Sequence, residues 1–361
     1  MKNIYLDYNS TTPILPEILA EMQEYFAFSK PLNASSSHFY GQNARNLLEK
    51  SRNSILQNVM GSAWGEYNLI FTSSGSESNN TVINSFKNSK ILYSNLEHSS
   101  ISKPAENTEN ATKIYSNSSG IIFPENLVKM IKNIQPELVS IAYANNETGV
   151  IQNLAEIAKI CSNYGVKLHT DACQALGKIS CNFHEIKPDL ITISSHKIYG
   201  PIGASAVIYK KNCKILPIIL GGSQEFGARA GTENLYAIYG FSLACEMCEK
   251  FVEKYTEIQP LRDKIDARAT ELGHLVLCKS AARIPNTTMI AKANCNSSAE
   301  IMRLDLLGFS ASSGSACSSG LHEESKIIAN LQLSGEYSAT TRFSLGIHTR
   351  EDEINALLQV F

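Results

Sequence analysis

Six short runs rich in β-branched and apolar residues recur within the first 210 residues: NLIFT (68–72), KILYS (90–94), LVSIAY (138–143), VKLHT (166–170), DLITIS (189–194) and SAVIYK (205–210). Between several of them the apolar residues keep a helical period, at 77–86, 124–133 and 154–164. Strands alternating with helices imply an α/β protein with a mostly parallel sheet covered by helices on both faces. Functional groups in such sheets gather at the carboxyl ends of the strands. Residues 73–76, Glu97, His98, Asn145, Asn146, Asp171, His196 and Lys197 all fall there. A long helical pattern over about 232–256, with Pro260 and a mixed α/β region after it, is expected to bridge two domains. These are a large domain over 12–245 and a small one formed by 1–11 and 246–361.

The composition is that of a soluble globular protein, 43% hydrophobic and 18% charged over 361 residues. A net charge of −2 leaves no electrostatic footprint for nucleic acid or an anionic membrane. No apolar run approaches the roughly 18 residues a membrane span requires. The opening MKNIYLDYNSTTP turns polar after Leu6 and lacks a signal peptide's apolar region, so a reducing, cytoplasmic setting is expected. The nine cysteines, odd in number and scattered, fit that setting better than a disulfide framework. Cys245 and Cys248 form a lone CxxC in a helix-like stretch, with no second pair to complete a zinc site. They read as packing residues, and no metal is expected.

Lys197, in SSHKIYGPIGA, sits just past a buried-looking strand and before a Gly/Pro turn. It is either a surface lysine or an amine that forms a Schiff base with an aldehyde cofactor, which needs a neutral amine and a dry site. Ser194 and His196 beside it could serve a phosphate. Asp171, in LHTDACQALGK, is either a strand-end cap or the fixed negative charge that pairs with the pyridinium nitrogen of pyridoxal 5′-phosphate (PLP). Gln174 could donate to the ring's phenolic oxygen. The ordered set Asp171, Gln174, Lys197 is far more specific than any member.

Gly75 and Ser76, in SSGSESNN (73–80), open a helix after a strand and could present N–H groups and a hydroxyl to a phosphate. The plain alternative is a Ser N-cap with Asn79 and Asn80 facing solvent. His98 could stack over a cofactor ring and move protons in both directions, given an ordinary pKa of about 6.5. Arg342, in TTRFSLG, is either half of a surface ion pair or a bidentate clamp on a substrate carboxylate. Cys317 lies in ASSGSACSSG (311–320), whose glycines and serines suggest an exposed loop with nothing to bury the thiol. By exposure it is the best nucleophile in the chain.

Taken together, these motifs resemble the cysteine desulfurases, in the class V group of fold-type I PLP enzymes. The likeness runs from YLDYNSTT to RFSLG and includes NASSSHFYG, FTSSGSESNN, EHSS, ANNETG, HTDACQALGK, SSHKIYGP, GGSQEFGARAGTEN and SSGSACSSG. The last looks like the loop of the desulfurases that serve nitrogenase and general iron–sulfur assembly. The resemblance implies that Lys197 holds PLP as a Schiff base and later moves the substrate's α-proton. It implies that Asp171 and Gln174 hold the ring with His98 stacked upon it, and that Gly75, Ser76, Ser194 and His196 hold the phosphate. Thr232, in GTEN, would reach the phosphate of a neighbouring subunit, so a homodimer is implied. Asn146 and Arg342 would receive the substrate. L-Cysteine would give its sulfur to Cys317 as a persulfide and leave as L-alanine, with His98 expected to help deprotonate a thiol. An iron–sulfur scaffold or a sulfur-carrier protein would then accept the sulfur.

Three positions depart from the pattern of these enzymes: Ser76 for Thr, Tyr8 for Asn and Ile202 for Lys, none of which removes a catalytic group. Only 44 residues follow Cys317, so docking to a scaffold through the tail of longer relatives is not expected. The neighbouring readings are another class V activity (selenocysteine lyase, cysteine sulfinate desulfinase or aminotransferase) and a non-catalytic scaffold of the same fold. Cys317 in an exposed loop disfavours the aminotransferase. The joint presence of Lys197, Asp171, His98, Arg342 and Cys317 disfavours the scaffold.

Overall fold

A computed structural model describes residues 3–27, 31–293, 295–313, 329–331 and 337–361. A two-residue strand, β1 (Ile4–Tyr5), is followed by helices α1 (Pro16–Tyr25) and α2 (Phe39–Met60). The main sheet is then built from β2 (Tyr67–Thr72), β3 (Ile91–Ser94), β4 (Ala111–Ile114), β5 (Leu138–Ser140), β6 (Lys167–Asp171), β7 (Leu190–Ser194) and β8 (Ser205–Lys210). Its seven strands lie in the order β2-β8-β7-β6-β5-β3-β4. Neighbours from β7 to β4 pair in parallel, and β8 alone runs against the rest. The expected mostly parallel sheet is therefore present, with β4 added at its edge.

Helices α3 (Gly75–Ser85), α4 (Ser99–Glu106), α5 (Pro124–Ile134), α6 (Leu154–Asn163) and the single turn α7 (Phe183–Ile186) make the crossovers. Successive strand residues point to opposite faces, and both faces are apolar here. Ile70, Ile91, Tyr93, Val207 and Tyr209 pack with Val82 and Ile83 of α3, with Phe86 just past its end, and with Ile101 of α4. Their neighbours Leu69, Phe71, Leu92, Ala206 and Ile208 join the larger cluster that α2 and α6 cover on the other side. A sheet buried on both faces reads as continuous apolar runs, which is why its strands stand out in the sequence.

The expected long helix is interrupted. It forms as α8 (Leu235–Glu246) and α9 (Cys248–Glu271), joined at Met247, and Pro260 lies inside α9 rather than beyond the helix. Proline forfeits one helical hydrogen bond. Burial of Ile258, Arg262, Ile265 and Asp266 around it keeps the helix on its packing surface. Cys245 and Cys248 flank the junction and are both buried, as packing residues should be.

A second, antiparallel sheet follows, with β10 (Thr287–Ala293) between β9 (Leu275–Val276) and β12 (Tyr337–Ser344). Helix α10 (Ser297–Leu306) leads into β11 (Phe309–Ser310), which pairs in parallel with β1, and α11 (Glu351–Gln359) packs on α9. Tyr8 lies so close to Gly346 that a Cβ there would sit 2.1 Å from its ring, so glycine is required at that crossing. No helix among the described residues is long and apolar enough to cross a membrane.

Candidate active site

Lys197 ends a short 3-10 turn (Ser195–Lys197) that follows β7 directly. Its Nζ donates to the carbonyls of Asn9 at 2.6 Å and Ser10 at 2.7 Å. Burial lowers its pKa below the ordinary lysine value, with Arg342 pushing the same way while Cys173, Asp171 and Asp7 oppose. The backbone just beyond is clamped. Tyr199 takes a left-handed φ of 65°, which a side chain as large as tyrosine rarely adopts. Its hydroxyl meets that of Tyr255 at 2.9 Å and accepts the Ile347 N–H at 2.8 Å. These buried contacts hold the chain in a conformation it would otherwise avoid.

Asp171 is the last residue of β6. Its Oδ1 accepts the Cys173 N–H at 2.9 Å, and its Oδ2 accepts from Asn79 Nδ2 at 2.8 Å. The same Asn79 amide donates to Ser100 Oγ at 2.8 Å. Ser100 Oγ lies 2.7 Å from His98 Nδ1, and the Ser100 backbone N–H also donates to that nitrogen, at 3.1 Å. His98 thus caps α4 with its ring. Burial lowers its pKa, opposed by Asp171 and reinforced by Lys197. Asn79, which the sequence suggested as a solvent-facing residue, is buried, as are Ser78, Val82 and Ile83 on the same helix. Its place between Asp171 and Ser100 explains why a polar residue occupies an inner face.

Gln174 and Lys178 lie four residues apart in the turn after β6. Gln174 Nε2 donates to the Asn9 carbonyl at 2.9 Å, and Lys178 Nζ donates to Gln174 Oε1 at 2.5 Å and to Asn9 Oδ1 at 2.8 Å. Lys178 is fully buried, and burial, then Lys197, drives its pKa well below the usual range. Asn9 also bonds Asn146 and Thr287 through Nδ2, and its N–H donates to Ser344 Oγ. It is the hub of the site.

Arg342, on β12, reaches the same place. It donates to Asp7 Oδ1 at 2.6 Å, to Ser10 Oγ at 3.0 Å and to the Asn146 carbonyl at 3.0 Å, while its buried Nε has no partner. Ser312, five residues before Cys317 in the sequence, exchanges two backbone hydrogen bonds with Arg342. Cys317 itself lies outside the described residues.

Gly75 begins α3, capped by Ser74, which accepts the Glu77 N–H at 3.2 Å. A Cβ at Gly75 would come within 3.3 Å of Cys173 Sγ and 3.9 Å of Ser194 Cβ, so this helix start, β7 and the end of β6 meet. The first N–H groups of a helix have no partner within it and favour an anion. Ser194 Oγ accepts from Ser205 at 2.7 Å. His196 Nδ1 lies 3.1 Å from Thr11 Oγ1, and burial, then Lys197 and Lys178, pushes its pKa down to about 4. Ser76 is exposed at the helix start. Thr232 is exposed ahead of α8.

The structure therefore gathers Lys197, Asp171, His98, Gln174, Gly75, Ser194, His196, Asn146 and Arg342 at one edge of the sheet. It adds Asn9, Asn79 and Lys178, which carried no assignment in the sequence. Asn9 and Lys178 lie inside YLDYNSTT and HTDACQALGK, and that was the one available signal.

The model for the aminotransferase class-V family matches residues 4–357, and the chain belongs to that family. Within it the similarity is to cysteine desulfurases. The chain is 35% identical to cysteine desulfurase IscS of Dictyoglomus turgidum, over 99% of this chain and 93% of that one. It is 32% identical to cysteine desulfurase NifS of Azotobacter vinelandii, over 99% and 92%. The X-ray structure of a NifS-like protein from Rickettsia africae superposes with a TM-score of 0.92 at 34% identity, covering 99% of this chain and 98% of that one.

Proposed function

We propose that this chain is a PLP-dependent cysteine desulfurase that converts L-cysteine to L-alanine and takes the sulfur on Cys317 as a persulfide, for iron–sulfur cluster assembly. The observation that carries the proposal is the half-buried Lys197 amine, its pKa lowered chiefly by desolvation, grouped with Asp171, His98 and Arg342 at the carboxyl edge of the sheet.

The residues fit the cofactor. Gly75 leaves room where any side chain would press on Cys173, next to free helix N–H groups for a phosphate. Asp171 supplies a carboxylate for a ring nitrogen, and His98 and Gln174 flank it. When bound, PLP would supply an electron sink for the substrate's α-carbon. Lys197 Nζ, neutral more readily than an exposed lysine, would hold the cofactor covalently and then take the α-proton. Asp171 would keep a proton on the ring nitrogen, and Gln174 would turn its amide from Asn9 to the ring. Ser76, Ser194 and His196 would join Gly75 around the phosphate. Arg342, held flat by Asp7, Ser10 and Asn146, would present its guanidinium to the substrate carboxylate.

Cys317 would act as a thiolate on the sulfur of L-cysteine. The new S–S bond forms as the substrate's C–S bond breaks. The electron pair stays with the carbon skeleton, which is protonated and leaves as alanine. Ser312 pins the loop base to Arg342, five residues before Cys317.

The active species in this proposal is a cytoplasmic homodimer, with exposed Thr232 completing the phosphate site of its partner. Residues 12–245 form the cofactor domain, and 1–11 with 246–361 form the small domain. The sulfur acceptor is an iron–sulfur scaffold or a carrier protein. Incubation with L-cysteine, scoring alanine and protein-bound persulfide in wild type and Cys317→Ser, tests the core of it. Alanine formation without a Cys317-dependent persulfide would overturn the sulfur-transfer step.

A further inference from the structure

We propose that Asn79 and Ser100 are positioning residues that lock the His98 ring as the neutral tautomer carrying its proton on Nε2, so that His98 works as a hydrogen-bond donor rather than as a base. The tautomer assignment stands on geometry alone; its use in turnover rests on the desulfurase reading above.

A backbone N–H can only donate. The Ser100 N–H points at His98 Nδ1 from 3.1 Å, so Nδ1 must offer a lone pair. The Ser100 hydroxyl is 2.7 Å from the same nitrogen and already accepts an N–H of Asn79 at 2.8 Å, which turns the hydroxyl proton toward Nδ1. The orientation of Asn79 is fixed in turn by charge. Its other N–H meets Asp171 Oδ2 at 2.8 Å, and a flipped amide would set two oxygens against each other. The flip is refused even though Asn79 Oδ1 is left buried without a partner.

Two donors on Nδ1 exclude a proton there, and the neutral ring carries its one proton on Nε2. The charged groups around the ring do not undo this. Asp171 favours a cationic ring, while burial and Lys197 oppose it and prevail. Glu97, next in sequence, faces the Ala142 N–H instead and is itself held toward the neutral acid by burial. A ring in this state cannot accept a proton at Nε2, so it is unsuited to deprotonating a thiol. It offers a fixed N–H to whatever acceptor lies beside it, as neutral imidazoles do in other active sites.

The test is ¹⁵N NMR of histidine-labelled full-length protein, with and without cofactor, alongside the pH profile of kcat/KM for L-cysteine. In wild type, Nδ1 should show the shift of an unprotonated nitrogen and Nε2 that of a protonated one across neutral pH. Ser100→Ala should raise the ring's proton affinity about threefold to tenfold, the worth of one hydrogen bond. It should move the acid limb of kcat/KM upward by the same factor. Asn79→Leu should act in the same direction, and Ser100→Thr, which keeps the hydroxyl, should restore wild-type behaviour. A proton on Nδ1 in wild type, or an unchanged ring titration in Ser100→Ala, overturns the proposal. Absence of alanine production by wild type would instead refute the desulfurase reading and leave the tautomer result standing.

Discussion

Acidification will weaken the main sheet through one residue behind the active site. His169 is fully buried in β6, two residues before Asp171. Its ring bridges the hydroxyls of Ser140 on β5 at 2.9 Å and Thr192 on β7 at 3.1 Å. Burial pushes its pKa down to about 4, against a smaller upward pull from Asp171. In the unfolded chain the same ring binds a proton near its ordinary value of about 6.5. Between those two values the unfolded state holds more protons, so stability falls as pH drops through this window and is unaffected above it. The full loss is about 3 kcal/mol, of which about 2 kcal/mol is gone by about pH 5. Replacing His169 with Gln removes the titration. Urea unfolding followed at about pH 7.5 and about pH 5 should show wild type losing about 2 kcal/mol more than His169→Gln over that interval. The variant will be weaker at neutral pH, having lost one bridge, but its slope with pH must be shallower. Parallel slopes would refute the assignment of His169 as a neutral strand bridge.

Arg52 is sandwiched between the rings of Phe71 and Phe226, 4.9 Å from each, and bonds both oxygens of buried Glu225 at 2.8 and 2.9 Å. Arg52→Met should cost about 3–5 kcal/mol in chemical denaturation, because Glu225 is left buried and unpaired, and Glu225→Gln in the same chain should recover much of that. Arg342→Lys keeps the charge but not the fork that Asp7, Ser10 and Asn146 hold in place. KM for L-cysteine should rise about tenfold to a hundredfold with a smaller change in kcat, and an unchanged KM would remove Arg342 from the carboxylate site.

The buried strands were legible because burial on both faces leaves no polar alternation to confuse them with surface. β4 was not, since ATKI is short, mostly half-buried and at the sheet's edge. The break at Met247 was also invisible. Apolar periodicity continues through it, and Pro260 suggested a stop that tertiary packing overrides. In the site, Asp171, His98 and Lys197 stood out because each lies at or just past the carboxyl end of a strand. The alternative that placed Asn79 on the solvent face fails because hydrophobic periodicity marks only apolar inner faces, whereas this one is Ser78 and Asn79 beside Val82 and Ile83. Asn9 had no signal beyond its place inside YLDYNSTT. Its partners lie as far as 335 residues along the chain.

That distance has a consequence for synthesis. Asp7, Asn9 and Ser10 are made long before their partners Arg342 and Ser344, 335 residues earlier for the pairs Asp7–Arg342 and Asn9–Ser344. The main sheet has all its strands by Lys210 and can form while translation continues. The segment that encloses the Lys197 amine stays unanchored on its far side until β12 emerges. A nascent chain therefore carries a folded sheet with an open, unfinished edge. The surroundings of the Lys197 amine take their final geometry only after β12 has been made.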